Sequence, residues 1–197
     1  APDFGPFNFS HTGTANSDQG FANGGATQSS TIGSTRIEAL GTMFGQAFGF
    51  DTAAGGTTEL TVVFHVPVDT AYTLYARIHG TDGGFATFTF LQGNTNLEGM
   101  FGPFGGPTQE LNVSGVLPAG DYTLYGDCFG GGSGGGGGGG FGNAEFEFDF
   151  QLEPLVNRYC VGAINGSGLN GAIDATGSTS IAANEFTLTA SGIPQTS

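Results

Sequence analysis

The stretch from Asp121 to Pro154 constrains this chain more than any other part: two alternating segments flank a run of glycine broken by one serine. Phe146, Phe148, Phe150 and Leu152 fall at one parity, and Glu145, Glu147, Asp149 and Gln151 at the other. A period of two is the pattern of a strand with one buried and one wet face. The glycine run is too long for a tight hairpin turn. It also lacks the lysine and the following helix of a phosphate-binding loop. The two flanks are therefore expected to pair as a hairpin around a glycine loop, with Glu145, Glu147 and Asp149 facing Asp121 and Asp127 across it. Ordering polyglycine costs more backbone entropy than ordering any other sequence. An ordered run consequently needs something packed against it, either a neighbouring subunit or an extended polyglycine stack.

The rest of the chain points the same way. Among 197 residues there are 39 Gly and 19 Phe but no Trp, with abundant Thr, Ser and Asn. Long runs of helix formers are missing, so the expected fold is an all-β, antiparallel two-sheet sandwich of jelly-roll type with long Gly-rich loops. Strands are expected at Glu59–Val66, Ala71–Gly80, Phe85–Leu91, Leu111–Val116 and Asp121–Cys128. Tyr72, Leu74, Ala76 and Ile78 should face inward, and Tyr75, Arg77 and His79 outward. Thr35–Phe50 carries apolar residues at helical spacing, but Gly41, Gly45 and Gly49 argue for a strand. Residues 1–35 are weakly patterned, with Phe4, Phe7 and Phe9 as anchors for a first strand. Gly93–Pro107 reads as a loop with an apolar tip at Met100, Phe101 and Phe104. Tyr-Thr-Leu-Tyr occurs at 72–75 and again at 122–125, as expected of equivalent core strands in two sheets. The sandwich is expected to span 1–154. Residues 155–197 form a β extension, too poor in large apolar residues to fold alone. It packs on the sandwich, donates strands to a neighbour, or begins a longer module.

Charge narrows the partners. Seventeen acids stand against three arginines (Arg36, Arg77, Arg158) and no lysine, for a net charge of −14. Nucleic acid and anionic membranes are disfavoured, because both need clustered cations. No stretch reaches the roughly 18 apolar residues of a spanning helix, so membrane insertion is not expected. The opening residues APDFGPF resemble a mature end left by cleavage. Cys128 and Cys160 form one disulfide in an oxidising compartment, or else stand as two free thiols.

Residues 57–153 resemble β-sandwich modules of bacterial secreted and surface proteins, of the PEP-CTERM-sorted type and of planctomycetes. The likeness rests on LTVVFHVPVDTAYTLYARIHG, then SGVLPAGDYTLYGDCFG, then FEFDFQLEP. The tail from Tyr159 to Pro194 is similar to the start of a C-terminal module common in planctomycete secreted proteins. The resemblance implies an extracellular or cell-surface location and supplies no catalytic residue.

No catalytic constellation stands out. His11, His65 and His79 lack metal-ligand spacing, and there is no nucleophile elbow. Glu145, Glu147 and Asp149 form a row of like charge with no Lys or Arg expected opposite, an arrangement that calcium would relieve; the alternative is a solvated face. The first functional expectation is a non-enzymatic extracellular structural protein, a subunit that assembles with itself into a fibre or surface layer. Gly130, Gly136, Gly140, Phe186 and Leu188 are its candidate assembly residues. The alternative is a carbohydrate-binding or adhesion module, calcium-dependent in one version, with Tyr75, Tyr125 and Phe101 as sugar platforms. No cofactor other than calcium is expected.

Overall fold

The computed structural model describes residues 5–50, 52–81, 83–102, 105–135, 139–153, 158–164, 170–176 and 187–191, the last three stretches as backbone strands. Ten strands build the first unit: β1 (Gly5–Ser17), β2 (Gly20–Ile32), β3 (Arg36–Gly49), β4 (Thr52–Val66), β5 (Thr70–Thr81), β6 (Gly84–Gln92), β7 (Thr95–Phe101), β8 (Gln109–Leu117), β9 (Gly120–Gly134) and β10 (Gly139–Glu153). They form a six-stranded sheet in the order β1-β2-β3-β10-β5-β8 and a four-stranded sheet in the order β4-β9-β6-β7. The fold is an antiparallel two-sheet β-sandwich. A second compact unit, Glu153–Ser197, holds β11 (Arg158–Ile164), β12 (Asn170–Thr176) and β13 (Thr187–Ser191) in a three-stranded antiparallel sheet.

The opening stretch is corrected by this topology. β9 and β10 are not a hairpin: β9 lies between β4 and β6, and β10 lies between β3 and β5 in the other sheet. The expected pairing of Glu145, Glu147 and Asp149 with Asp121 and Asp127 therefore does not form. Most of the glycine run is strand. Gly130–Gly132 pair with Ala54–Gly56 on β4, and Gly139–Gly142 pair with Gly45–Phe48 on β3. Further corrections fall on the weakly patterned regions. Residues 1–35 hold two strands rather than one, and the expected loop tip at Met100 and Phe101 is the end of β7. Met100 is buried there, whereas Phe7 and Phe9 on β1 are half exposed instead of anchoring the core.

The interior is a wedge, visible in the inward-facing residues of the central strands. Along β9 they run Tyr122, Leu124, Gly126, Cys128, Gly130, Gly132; along β10 they run Phe150, Phe148, Phe146, Ala144, Gly142, Gly140. At the wide end Phe64, Phe90, Tyr122 and Phe150 meet with ring centroids 5.1 to 5.8 Å apart. The Tyr122 hydroxyl donates to the Pro118 carbonyl at 2.7 Å, so the phenol is satisfied where its ring is buried. At the narrow end the sheets touch main chain to main chain. A Cβ added to Gly45 would lie 2.7 Å from the Ala54 carbonyl oxygen and 2.8 Å from the Gly131 Cα. Sheets separated by ordinary side chains sit about 10 Å apart, so only glycine allows this closure. What packs on Gly140 is thus the chain's own opposite sheet, at Ser133, while Gly130 meets Gly83 and Gly84 beside it. Gly136 and Phe186 lie outside the described residues, as does the side chain of Leu188 on β13.

Cys128 sits inside the wedge, fully buried, as a free thiol. This departs from the expected bridge to Cys160, whose side chain lies outside the described residues. The Cys128 side chain points into the sandwich from β9, where a bridge would require a second cysteine in the core. Burial pushes its thiol up to about 12, with the Asp127 carboxylate adding to the effect. The thiol stays neutral, hence unreactive, in the folded state. A Cys160→Ser variant should react with a thiol reagent at pH 8 only as fast as it unfolds; immediate labelling of the native protein would contradict the burial. The same shift works against the fold in alkali. Its contribution is intact below the ordinary value of 9.0 and is lost as pH rises through about 12.

Candidate functional site

Because Phe146, Phe148 and Phe150 of β10 face inward, Glu145, Glu147 and Asp149 face outward on the six-stranded sheet. Antiparallel register carries this face across four strands in three rows. The middle row is Asn8, Ser29, Leu40 and Glu147, on β1, β2, β3 and β10. On one side of it run Ser10, Thr27, Thr42 and Glu145; on the other run Pro6, Thr31, Glu38 and Asp149. The residues on β2 are short hydroxyl side chains, and Thr27 and Thr42 bond to each other at 2.6 Å. Between taller neighbours they leave a trough.

Two depressions make up that trough. One, of about 320 Å³, is lined by Ser29, Thr31, Glu38, Leu40, Tyr75, Glu147 and Asp149 among others. The second, of about 350 Å³, is lined by residues of β1, β2 and β3 and shares Ser29 and Leu40 with the first. The two are therefore contiguous and run across β1, β2, β3, β10 and β5. At about 4.8 Å per strand, five strands span roughly 19 Å. Leu40 is 40% exposed, giving the floor an apolar patch among hydroxyls and carboxylates.

Two arginines brace the carboxylates, contrary to the expectation that none stands opposite them. Arg36 forks onto Asp149, its Nε donating to Oδ1 at 3.0 Å and its Nη2 to Oδ2 at 2.7 Å, and it also reaches Glu38 at 2.9 Å. Arg77 on β5 reaches Glu145 at 2.7 Å and Glu147 at 3.2 Å. These bonds offset the like charge of the acidic row. Among the described residues no three His, Cys, Asp or Glu side chains converge to hold a metal ion. Tyr75 stands beside Glu147; partial burial pushes its phenol up, and the Glu110 and Glu147 carboxylates reinforce the shift against Arg77. The phenol therefore remains a neutral donor.

The structure separates the three expected sugar platforms. Tyr75 lines the trough, whereas Tyr125 on β9 and Phe101 on β7 belong to the other sheet, and Phe101 is exposed. Beside Tyr125, Asp127 lies directly opposite Glu59. Burial pushes the Asp127 carboxyl up and Glu59 adds to this, while a hydrogen bond with Tyr125 opposes it. The outward histidines also part: His65 on β4 meets Asp121 at 2.7 Å, and His79 on β5 meets Thr108 at 3.1 Å. Reading the residues alone missed Asn8, Ser29, Leu40, Glu38 and Arg36. The available signal was the parity of Thr27, Ser29 and Thr31 on β2, which is weak because the residues between them are also small and polar.

No family model and no curated protein matches the chain. Solved structures similar at low level include the following three. The carbohydrate-binding module TmCBM61 in complex with β-1,4-galactotriose has 12% identity and a TM-score of 0.31, over 77% of this chain and 90% of that one. The GH26-CBM35 β-(1,4)-mannanase of Podospora anserina has 15% identity and a TM-score of 0.27, over 82% and 30%. The enzymatically active domain of bacteriophage CBA120 tailspike protein 4 has 12% identity and a TM-score of 0.25, over 73% and 19%. None of these values sets a function for this chain.

Proposed function

We propose that this chain is a non-catalytic glycan-binding module that lays a polysaccharide across the strands of its six-stranded sheet. The observation that carries the reading is the contiguous trough sharing Ser29 and Leu40. Its walls present fixed hydroxyls and arginine-braced carboxylates, which can accept or donate hydrogen bonds to sugar hydroxyls. Carboxylates held in place lose little entropy on binding, the usual benefit of a preorganised site. Tyr75 supplies the aromatic face on which a pyranose packs its C–H side. Tyr75→Ala should weaken binding to a retained polysaccharide by at least about tenfold, the scale of an aromatic hot spot. Tyr125→Ala, on the other sheet, should leave binding unchanged. Affinity electrophoresis of both variants decides it, and unaltered retention of Tyr75→Ala removes the trough as the site.

A second reading rests on β1. It is a 13-residue strand at the end of its sheet, and its described side chains are largely exposed. Long open edges pair readily with other strands, which suits a self-assembling subunit of a fibre or surface layer. A chain that elutes as a large oligomer and retains no glycan would favour this reading over the first.

A further inference from the structure

Accepting the glycan reading, we infer that the trough takes an uncharged polysaccharide and rejects chains bearing uronate or sulfate groups. Four carboxylates face the trough or its rim: Glu38, Glu145, Glu147 and Asp149. Among the described residues Arg36 and Arg77 are the cations that oppose them, and each is already shared between two acids. Among the described side chains the face therefore keeps an excess of two negative charges, and both of its arginines are already committed. The chain as a whole contains no lysine and carries a net charge of −14, so the field around the trough has the same sign. Hydroxyl-rich sugars meet no such barrier, because a carboxylate accepts their O–H donors. Bringing one sugar carboxylate to about 4 Å from a trough carboxylate in water reduces affinity on the order of fivefold at low ionic strength. Two such groups along the trough reduce it on the order of 25-fold.

The test uses matched ligands. The full chain is run in affinity gels containing a neutral galactan, mannan or β-glucan, and each polysaccharide that retains it is run again after its C6 hydroxyls are oxidised to carboxylates. The expected result is retention by a neutral polymer and a loss of at least about tenfold for its oxidised form. That loss should shrink as salt shortens the screening length, and Glu147→Gln should recover part of it. Equal retention of the oxidised polymer, or a loss that salt does not alter, overturns the charge inference while glycan binding stands. Silence across every neutral and oxidised polymer overturns both.

Discussion

Replacing Gly45 by alanine should destabilise the sandwich by about 3 kcal/mol, at the upper end of what overpacking costs. In a chain of this size that lowers the melting temperature by roughly 6–12 °C. The new methyl would meet the Ala54 carbonyl oxygen, the Gly131 Cα and, at 3.1 Å, the Gly132 nitrogen. All three are backbone atoms of the opposite sheet, so no rotamer change relieves the contact. Gly13→Ala is the matched control, since nothing lies within 4 Å of its added Cβ. That variant should be neutral or gain up to about 0.5 kcal/mol through the unfolded chain's lost freedom. Urea unfolding of the two measures the difference. If Gly45→Ala matches Gly13→Ala, the sheets do not close on each other as described.

The second large effect is expected at Phe146. Its ring is fully buried and fills the space left by two glycines. Gly41 is its register partner on β3, and a Cβ on Gly126 of the other sheet would lie 2.6 Å from the ring. Phe146→Ala should cost about 3–5 kcal/mol, as large-to-small changes in a packed core do. The geometry also predicts a change of sign. Gly126→Ala should destabilise the wild-type protein, where it strikes the ring, and stabilise the Phe146→Ala protein, where it fills part of the cavity. A double-mutant cycle of unfolding free energies reads this coupling directly. Additive effects would mean that Gly126 and Phe146 do not touch.

Legibility followed the length of each alternating run. β5 has Tyr72, Leu74, Ala76 and Ile78 and β10 has Phe146, Phe148 and Phe150 at every second position, and these inward sets agree with the structure. β2 has Ala, Gln and Ser inside and Thr, Ser and Thr outside, so its two faces differ little in hydropathy. It was missed, and with it the floor of the trough. The glycine run misled for a different reason. Polyglycine carries no side-chain pattern, and its strand character comes from β3, β4 and β6 beside it. The size gradient along β9 and β10, from Tyr122 to Gly132 and from Phe150 to Gly140, was present in the sequence all along. Its meaning as a wedge depends on the two strands lying in opposite sheets.

The sequence by itself determined the class of fold, the faces of its strongest strands, and the acidic net charge. Those properties come from period-two burial and from net charge, which are local or additive. Only the tertiary structure decided which strands pair. Register brings Arg36 to Asp149 across 113 residues and Arg77 to Glu147 across 70, converting an apparently unopposed acidic row into a braced wall of the trough. It also placed Asp121–Cys128 and Glu145–Leu152, read as one hairpin around a glycine loop, in two different sheets. The glycines between them closed the narrow end of the sandwich because main chains can touch only where no Cβ stands between them.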